Sequence, residues 1–358
     1  LSDIRITQGR LREALSNYER GLQLATQPGG QPLRGAADML VGMSEIYREY
    51  NELDAATQYL RRSKELGELN GLPKNPYRSR VALARILAAR GEFDGALNLL
   101  DEAERVYEGD FSPNFRPVAA IRARLWIMAG RFSQAHNWAR EQGLSAGDDL
   151  SYLREFEHIT LARLLLAQAR IDGGDSSIGE VLGLLERLRQ AAEDGGRLGS
   201  AIEILVLQSL AHQVQGDLPA ALVQLERALT LAEPAGYVRV FVDEGAGLAQ
   251  LLEEATRRGI RPHYARRLLS AFAGERHSLT GEGTQPTTPA SSALHEPLSQ
   301  RELEILRLFQ SELSGPEIAQ ELVIALSTLR THTKSIYGKL NVNSRRAAVS
   351  RAVEMGLI

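Results

Sequence analysis

The sequence predicts an all-α protein: an α-solenoid of about six helical hairpins, a linker, and a small terminal domain of four helices. Three observations lead there: a recurrent spacing of turn residues and alanines over the first 245 residues, a Pro/Gly/Ser/Thr-rich stretch at 274–297, and short capped amphipathic segments from 298 to the end. The 358 residues are 43% hydrophobic and 24% charged, enough apolar side chain for packed cores in two or three domains. No apolar run approaches the roughly 20 residues that span a bilayer, so no membrane partner is expected. The formal net charge of −3 excludes a polyanion binder by bulk charge, so any nucleic-acid surface has to be local. The absence of cysteine removes disulfides and thiolate metal sites and fits a cytoplasmic location. Leu1–Arg5 has no charged segment leading into an apolar core, so it is not a signal peptide. The chain opens without Met inside a predicted helix, and is read as a piece with an upstream part missing.

The repeat consists of a small turn residue, an apolar residue at +2, Ala at +5 and a further, mostly apolar residue at +9. Its copies are Gly9/Leu11/Ala14/Tyr18, Asn51/Leu53/Ala56/Leu60, Gly91/Phe93/Ala96/Leu100, Gly130/Phe132/Ala135/Ala139 and Gly216/Leu218/Ala221/Leu225. Their starts lie 42, 40, 39 and 86 residues apart, the last gap being two periods with a degraded copy near Gly173 that retains Ile178 and Leu182. Gly and Asn tolerate the left-handed conformation that ends one helix. The Ala lets two helix axes approach closely. Before each turn lies another amphipathic segment: 36–50, 77–90, 117–129, 152–171 and 200–215. No hairpin buries its apolar face alone, and stacking supplies the missing partner. The pattern resembles tetratricopeptide repeats, with a period near 41 rather than 34. Such an array offers a concave face to a peptide, protein or small ligand.

Pro234 and Gly236 interrupt the repeat, and Tyr237–Val242 is β-branched and aromatic. This stretch is expected to cap the array before a last pair at 247–258 and 262–273. The linker 274–297 has three Pro and three Gly and nothing to bury. As a flexible coil it spans roughly 25–30 Å. The predicted domains are therefore 1–273, 274–297 and 298–358.

In the terminal domain, Ser299 and Glu302 form a capping box before an apolar face of Leu303, Leu306 and Phe309. Ser314 caps a second helix, with Pro316 in its first turn and Ile318, Ala319 and Leu322 buried. A turn at 323–326 leads to a third helix ending near Leu340, and a fourth runs from Ser344 to about Glu354. In the third helix, Leu329, Thr333, Ile336 and Leu340 fall on one face, so Arg330, Thr331 and Lys334 fall on the other. Arg and Lys can donate to guanine O6 and N7 in the major groove, and a Thr methyl can pack on thymine. From Leu322 to Val353 there is no Asp or Glu, against Arg330, Lys334, Lys339, Arg345, Arg346 and Arg351. That field suits a phosphate backbone, although charge alone is equally compatible with a solvated basic face. His332 has no second ligand at helical spacing, so it is read as structural or phosphate-facing rather than metal-binding.

The ordered elements Leu298-Ser-x-Arg-Glu, Leu313-Ser-x-x-Glu-Ile-Ala, Ser327-Thr-Leu-Arg-Thr-His and Ile336-Tyr-x-Lys-Leu-x-Val closely resemble the LuxR/FixJ type of helix-turn-helix over 298–358. The resemblance implies base contacts by Arg330, Thr331 and Lys334 and phosphate contacts by Thr328, His332, Lys339, Ser344 and Arg345. It also implies dimer contact through the fourth helix, so that two copies read an inverted repeat in double-stranded DNA. The chain departs from the pattern in three places. Ala325 stands where the family caps the third helix with Ser or Thr, a loss of about 1 kcal/mol unless Ser327 caps a later start. Leu329 replaces the usual Val, and Arg330 the usual Lys. A solenoid, a linker and this domain together resemble the large ATP-dependent LuxR regulators. That resemblance implies an inducer or protein partner on the solenoid, self-association and recruitment of RNA polymerase. It also places ATP in an upstream domain; no cofactor is expected in the present chain, which contains no Gly-x-x-x-x-Gly-Lys-Ser/Thr loop.

The reading is a DNA-binding transcriptional regulator, with activation favoured over repression. The alternative is a repeat scaffold whose basic terminal domain binds protein rather than DNA. No Gly-x-Ser-x-Gly, His-Glu-x-x-His or dinucleotide motif occurs, so no catalytic residue is nominated and no enzyme is expected.

Overall fold

The computed structural model describes residues 2–26, 32–66, 71–107, 114–172, 175–279, 300–310, 313–322, 329, 332–333, 335–337, 339, 342 and 344–354. Among them every regular element is helical, and the chain divides into two compact units at Gly281. The degraded turn at Gly173 and the stretch 280–297 of the expected linker lie outside the described residues.

The first unit is built from six hairpins: α1 (Ser2–Thr7) with α2 (Leu11–Ala25), α3 (Ala36–Glu49) with α4 (Leu53–Leu66), α5 (Asn75–Ala89) with α6 (Phe93–Arg105), α7 (Val118–Met128) with α8 (Phe132–Glu141), α9 (Glu155–Asp172) with α10 (Asp175–Asp194), and α11 (Leu198–Val214) with α12 (Leu218–Ala232). The turn residues expected from the repeat all adopt left-handed backbone: Gly9, Asn51, Gly91, Gly130 and Gly216 have φ between 64° and 81°. The alanine at +5 is fully buried in each of the five copies, at Ala14, Ala56, Ala96, Ala135 and Ala221. In the degraded copy the same position is the buried Ile178. At Gly9 the conformation and the packing act together: a Cβ there would lie 2.9 Å from that of Leu198, at the start of α11.

Stacking makes the core continuous. Val41 of α3 shares a cluster with Ala56 and Leu60 of α4 and Ile86 of α5. Val81 of α5 meets Leu100 of α6 and Ile121 of α7. The largest cluster joins α2 and α3 to α7–α12 and the following helices. The first helices of five of the hairpins, α3, α5, α7, α9 and α11, face inward and line a cavity of about 1420 Å³.

The segment expected to cap the array does more than end it. Its β-branched residues form a short helix, α13 (Arg239–Val242), after a 3₁₀ turn at Glu233–Ala235, with Gly236 at φ 80°. It crosses to α3: the Val238 and Val240 amides donate to the Glu49 carbonyl and carboxylate at 3.0 and 2.8 Å. Arg48 and Asp243, 195 residues apart, pair at 2.5 Å. The fully buried Arg239 donates to Asp243 at 2.8 Å and to Asn51 at 3.1 Å. With α1 packed on α11, the array curls until its two ends meet. The final pair is α14 (Ala246–Arg257) and α15 (Pro262–Leu279), the latter continuing past Ala273 into the segment expected to be linker.

The second unit contains α16 (Gln300–Leu308), α17 (Gly315–Glu321) and α18 (Arg345–Glu354). The described residues of the expected third helix, from Leu329 to Lys339, are helical. Its core unites Ile305, Leu306 and Phe309 with Ile318, Ala319, Leu329, Ile336, Ala348 and Ala352. Ile305 is the fully buried residue of the α16 face where Leu303 was expected, and Leu303 is half-buried. Ser314 precedes α17 as expected: the Glu317 carboxylate accepts from its amide and its hydroxyl at 2.7 and 2.6 Å. The Ser314 hydroxyl and amide together hold the Glu317 carboxyl below the usual range.

Candidate nucleic-acid interface

The third helix is presented by its apolar side. Leu329 and Ile336 are buried, and the Thr333 hydroxyl donates to the Leu329 carbonyl at 2.8 Å. The inward register expected for Leu329, Thr333 and Ile336 thus agrees with the structure, while Leu340 lies outside the described residues. So do the three expected base-contact residues, Arg330, Thr331 and Lys334, the phosphate candidate Thr328, and the cap positions Ser299, Ala325 and Ser327.

The other phosphate candidates divide sharply. His332 is helical and half-buried. Ser344 is exposed, and its hydroxyl caps α18 by accepting from the Ala347 amide at 3.3 Å. Lys339 and Arg345, by contrast, have their charged ends engaged inside the unit. The Lys339 ammonium pairs at 2.9 Å with Glu302, a nearly buried carboxylate on α16. Glu302, read from sequence only as half of a capping box, therefore also anchors the third helix.

Arg345 donates to three backbone carbonyls: Leu308 at 3.0 Å, Phe309 at 3.0 Å and Leu313 at 2.5 Å. The first two close the carboxyl end of α16, where unpaired carbonyls and the helix dipole favour a cation. Its guanidinium also lies 5.3 Å from the Phe309 ring centroid. Arg301, which the sequence reading passed over, does the same for α17 by donating to the Leu322 carbonyl at 2.7 Å. An arginine opposite the end of a short helix was the available signal, but charge in a motif does not disclose the direction in which it points.

These ties make a prediction. Arg345→Ala leaves the end of α16 without its donor and should destabilise the second unit by about 2–4 kcal/mol. Arg345→Lys should not rescue it, since an ammonium cannot reproduce the fork. Hydrogen exchange of α16 and α18 amides in the full chain measures this. Unchanged exchange with weakened DNA binding would instead return Arg345 to a phosphate role.

Comparison with known proteins agrees with both units. Residues 1–258 match the MalT-like TPR region, and residues 296–352 match the luxR family of bacterial regulatory proteins. The HTH-type transcriptional regulator MalT of Yersinia pestis (strain Pestoides F) is 27% identical over 371 residues, covering 98% of this chain and 39% of the relative. The protein of the same name from Klebsiella pneumoniae subsp. pneumoniae is 27% identical over 373 residues, covering 99% and 40% respectively. The chain thus spans about two-fifths of the length of these relatives. With a matching repeat region over more than half its length and a luxR-type helix-turn-helix after it, the chain belongs to the MalT-like family.

Proposed function

We propose that this protein is a sequence-specific DNA-binding transcriptional activator whose repeat unit takes up an inducer or protein partner and so controls self-association. The observation that carries the reading is the ordered helix-turn-helix motif of 298–358, which coincides with the luxR-family match and folds around a single core. Arg330, Thr331 and Lys334 read base edges in the major groove. Thr328, His332 and Ser344 face the phosphates, while Lys339 ties the reading helix to α16 and Arg345 closes the end of α16. Two copies joined through α18 bind an inverted repeat and recruit RNA polymerase. The inner cavity of the repeat unit supplies the inducer site. No residue of this chain is assigned to ATP, since it contains no Gly-x-x-x-x-Gly-Lys-Ser/Thr loop.

Selection of bound duplexes from a random pool by the full chain tests the reading. Enrichment of an inverted repeat is the expected outcome. Enrichment of single half-sites would remove the dimer, and no enrichment in any condition would remove the DNA-reading function.

A further inference from the structure

The cavity of the repeat unit is lined by nine arginines, seven carboxylates and no lysine, an excess of two positive charges in a partly desolvated space. The carboxylates do not serve all the arginines. Asp243 is taken by Arg48 and Arg239. Glu203 is shared between Arg124 at 2.8 Å and Arg163 at 3.0 Å, and Arg163 also holds Glu244. What remains is a group of cations whose carboxylates are shared, distant or absent. Arg85 has its nearest carboxylate, Glu45, at 3.7 Å, beyond hydrogen-bonding distance. Arg116 has no carboxylate within ion-pair distance among the described residues and stands over the Phe156 ring at 5.7 Å. Arg124 stacks on the same ring at 3.7 Å, so two guanidiniums converge on one aromatic side chain.

Arg124 sits nearest the balance point. Burial pushes its pKa down against the pull of Glu203, and Arg163, Arg116 and Arg85 push it further. Like charges gathered on one wall repel unless an opposite charge joins them, most strongly at the largely buried Arg124 and least at the exposed Arg116. A carboxylate or phosphate fits the planar fork of a guanidinium through two parallel hydrogen bonds. The cavity volume of about 1420 Å³ exceeds what a metabolite-sized ligand needs, and Tyr77, Ile121, Phe156 and Leu166 give it apolar surface for the body of such a ligand.

We propose that this cavity binds a small organic anion, its carboxylate or phosphate held by Arg116 and Arg124 beside Phe156, with Arg85 completing the set. The proposal names the chemical class of the inducer and rests on the reading of the repeat unit as the sensor. It is tested on the full chain by calorimetric titration with citrate, glucose 6-phosphate and glucose at low ionic strength. Citrate or glucose 6-phosphate is expected to bind at least about tenfold more tightly than glucose, and which of the two does so separates a carboxylate from a phosphate ligand. Arg116→Gln, a change at an exposed side chain, should weaken that binding by about tenfold or more, and Arg61→Gln on the outer surface should leave it unchanged. Glucose binding as tightly as glucose 6-phosphate, no anion binding below about 10 mM, or an unaffected Arg116→Gln variant would each overturn the proposal. Affinity for the selected DNA, measured with and without each ligand, separates the two readings. Anion binding that leaves DNA affinity unmoved overturns the sensor and keeps the site. A shift in DNA affinity with glucose, in the absence of anion binding, overturns the site and keeps the sensor.

Discussion

Asp243→Ala is expected to destabilise the repeat unit by about 3–5 kcal/mol, because it removes the buried charge that Arg48 and Arg239 share. Asp243 is the shared counter-ion of Arg48 and Arg239, whose side chains are 9% and 2% exposed. Neither can shed its proton, since a guanidinium stays charged at any accessible pH. Asp243→Asn keeps the shape and some hydrogen bonding but removes the charge, so it should retain most of the loss. Urea unfolding at neutral pH, followed by circular dichroism, measures both variants. A change below about 1 kcal/mol in each would mean that the ion cluster is net neutral in the fold. The effect should also depend on pH with a definite sign. Burial works to raise the Asp243 carboxyl, but Arg48 and Arg239 overcome it and hold the group down to about 2. A depressed carboxyl stabilises fully above its unfolded value of about 3.9, and that contribution is lost as pH falls through the folded value. The gap between wild type and Asp243→Asn should therefore close on acidification from about pH 4 to pH 2.

The second large effect is on DNA. Arg330→Ala combined with Lys334→Ala should weaken binding to the selected inverted repeat by about 100-fold or more, since each base contact contributes about 1–3 kcal/mol. Binding to unrelated duplexes should fall far less, because the phosphate contacts remain. Arg330→Lys is the informative single change. It restores the residue usual in LuxR-type domains, keeps the charge and removes the bidentate fork, so it should alter the preferred base rather than abolish binding. Fluorescence anisotropy at fixed salt gives both affinities, and an unchanged melting profile shows that the domain is intact. Loss of affinity that is equal on selected and unrelated DNA would assign both residues to the phosphate backbone.

The repeat architecture was legible because its determinants are local. A left-handed turn residue and an alanine five positions later identify each hairpin without knowledge of what it packs against. The inner helices accordingly begin and end within a few residues of their expected bounds; the segment expected at 36–50, for instance, forms Ala36–Glu49. The tie between Arg48 and Asp243 was not legible, because nothing local joins residues 195 apart. Nor was the role of the expected cap segment, whose β-branched residues gave no sign of reaching α3. In the terminal domain the motif placed Ile318, Leu329 and Ile336 in the core but left the basic side chains undirected. Lys339 and Arg345 belong to one basic field in the sequence, yet the structure turns them onto Glu302 and the end of α16.

The meeting of α13 with α3 and of α1 with α11 changes what kind of object the repeat array is. In an open array each unit touches only its neighbours, so it can fray from either extremity and its stability is close to a sum over units. Here the described array is tied at both extremities: a terminal hairpin that peels away also breaks bonds to the opposite end. Partial unfolding therefore loses its cheapest route, and the six hairpins are bound into one cooperative block. The same closure adds contacts spanning nearly 200 residues, and such non-local contacts slow folding relative to an open array of the same hairpins.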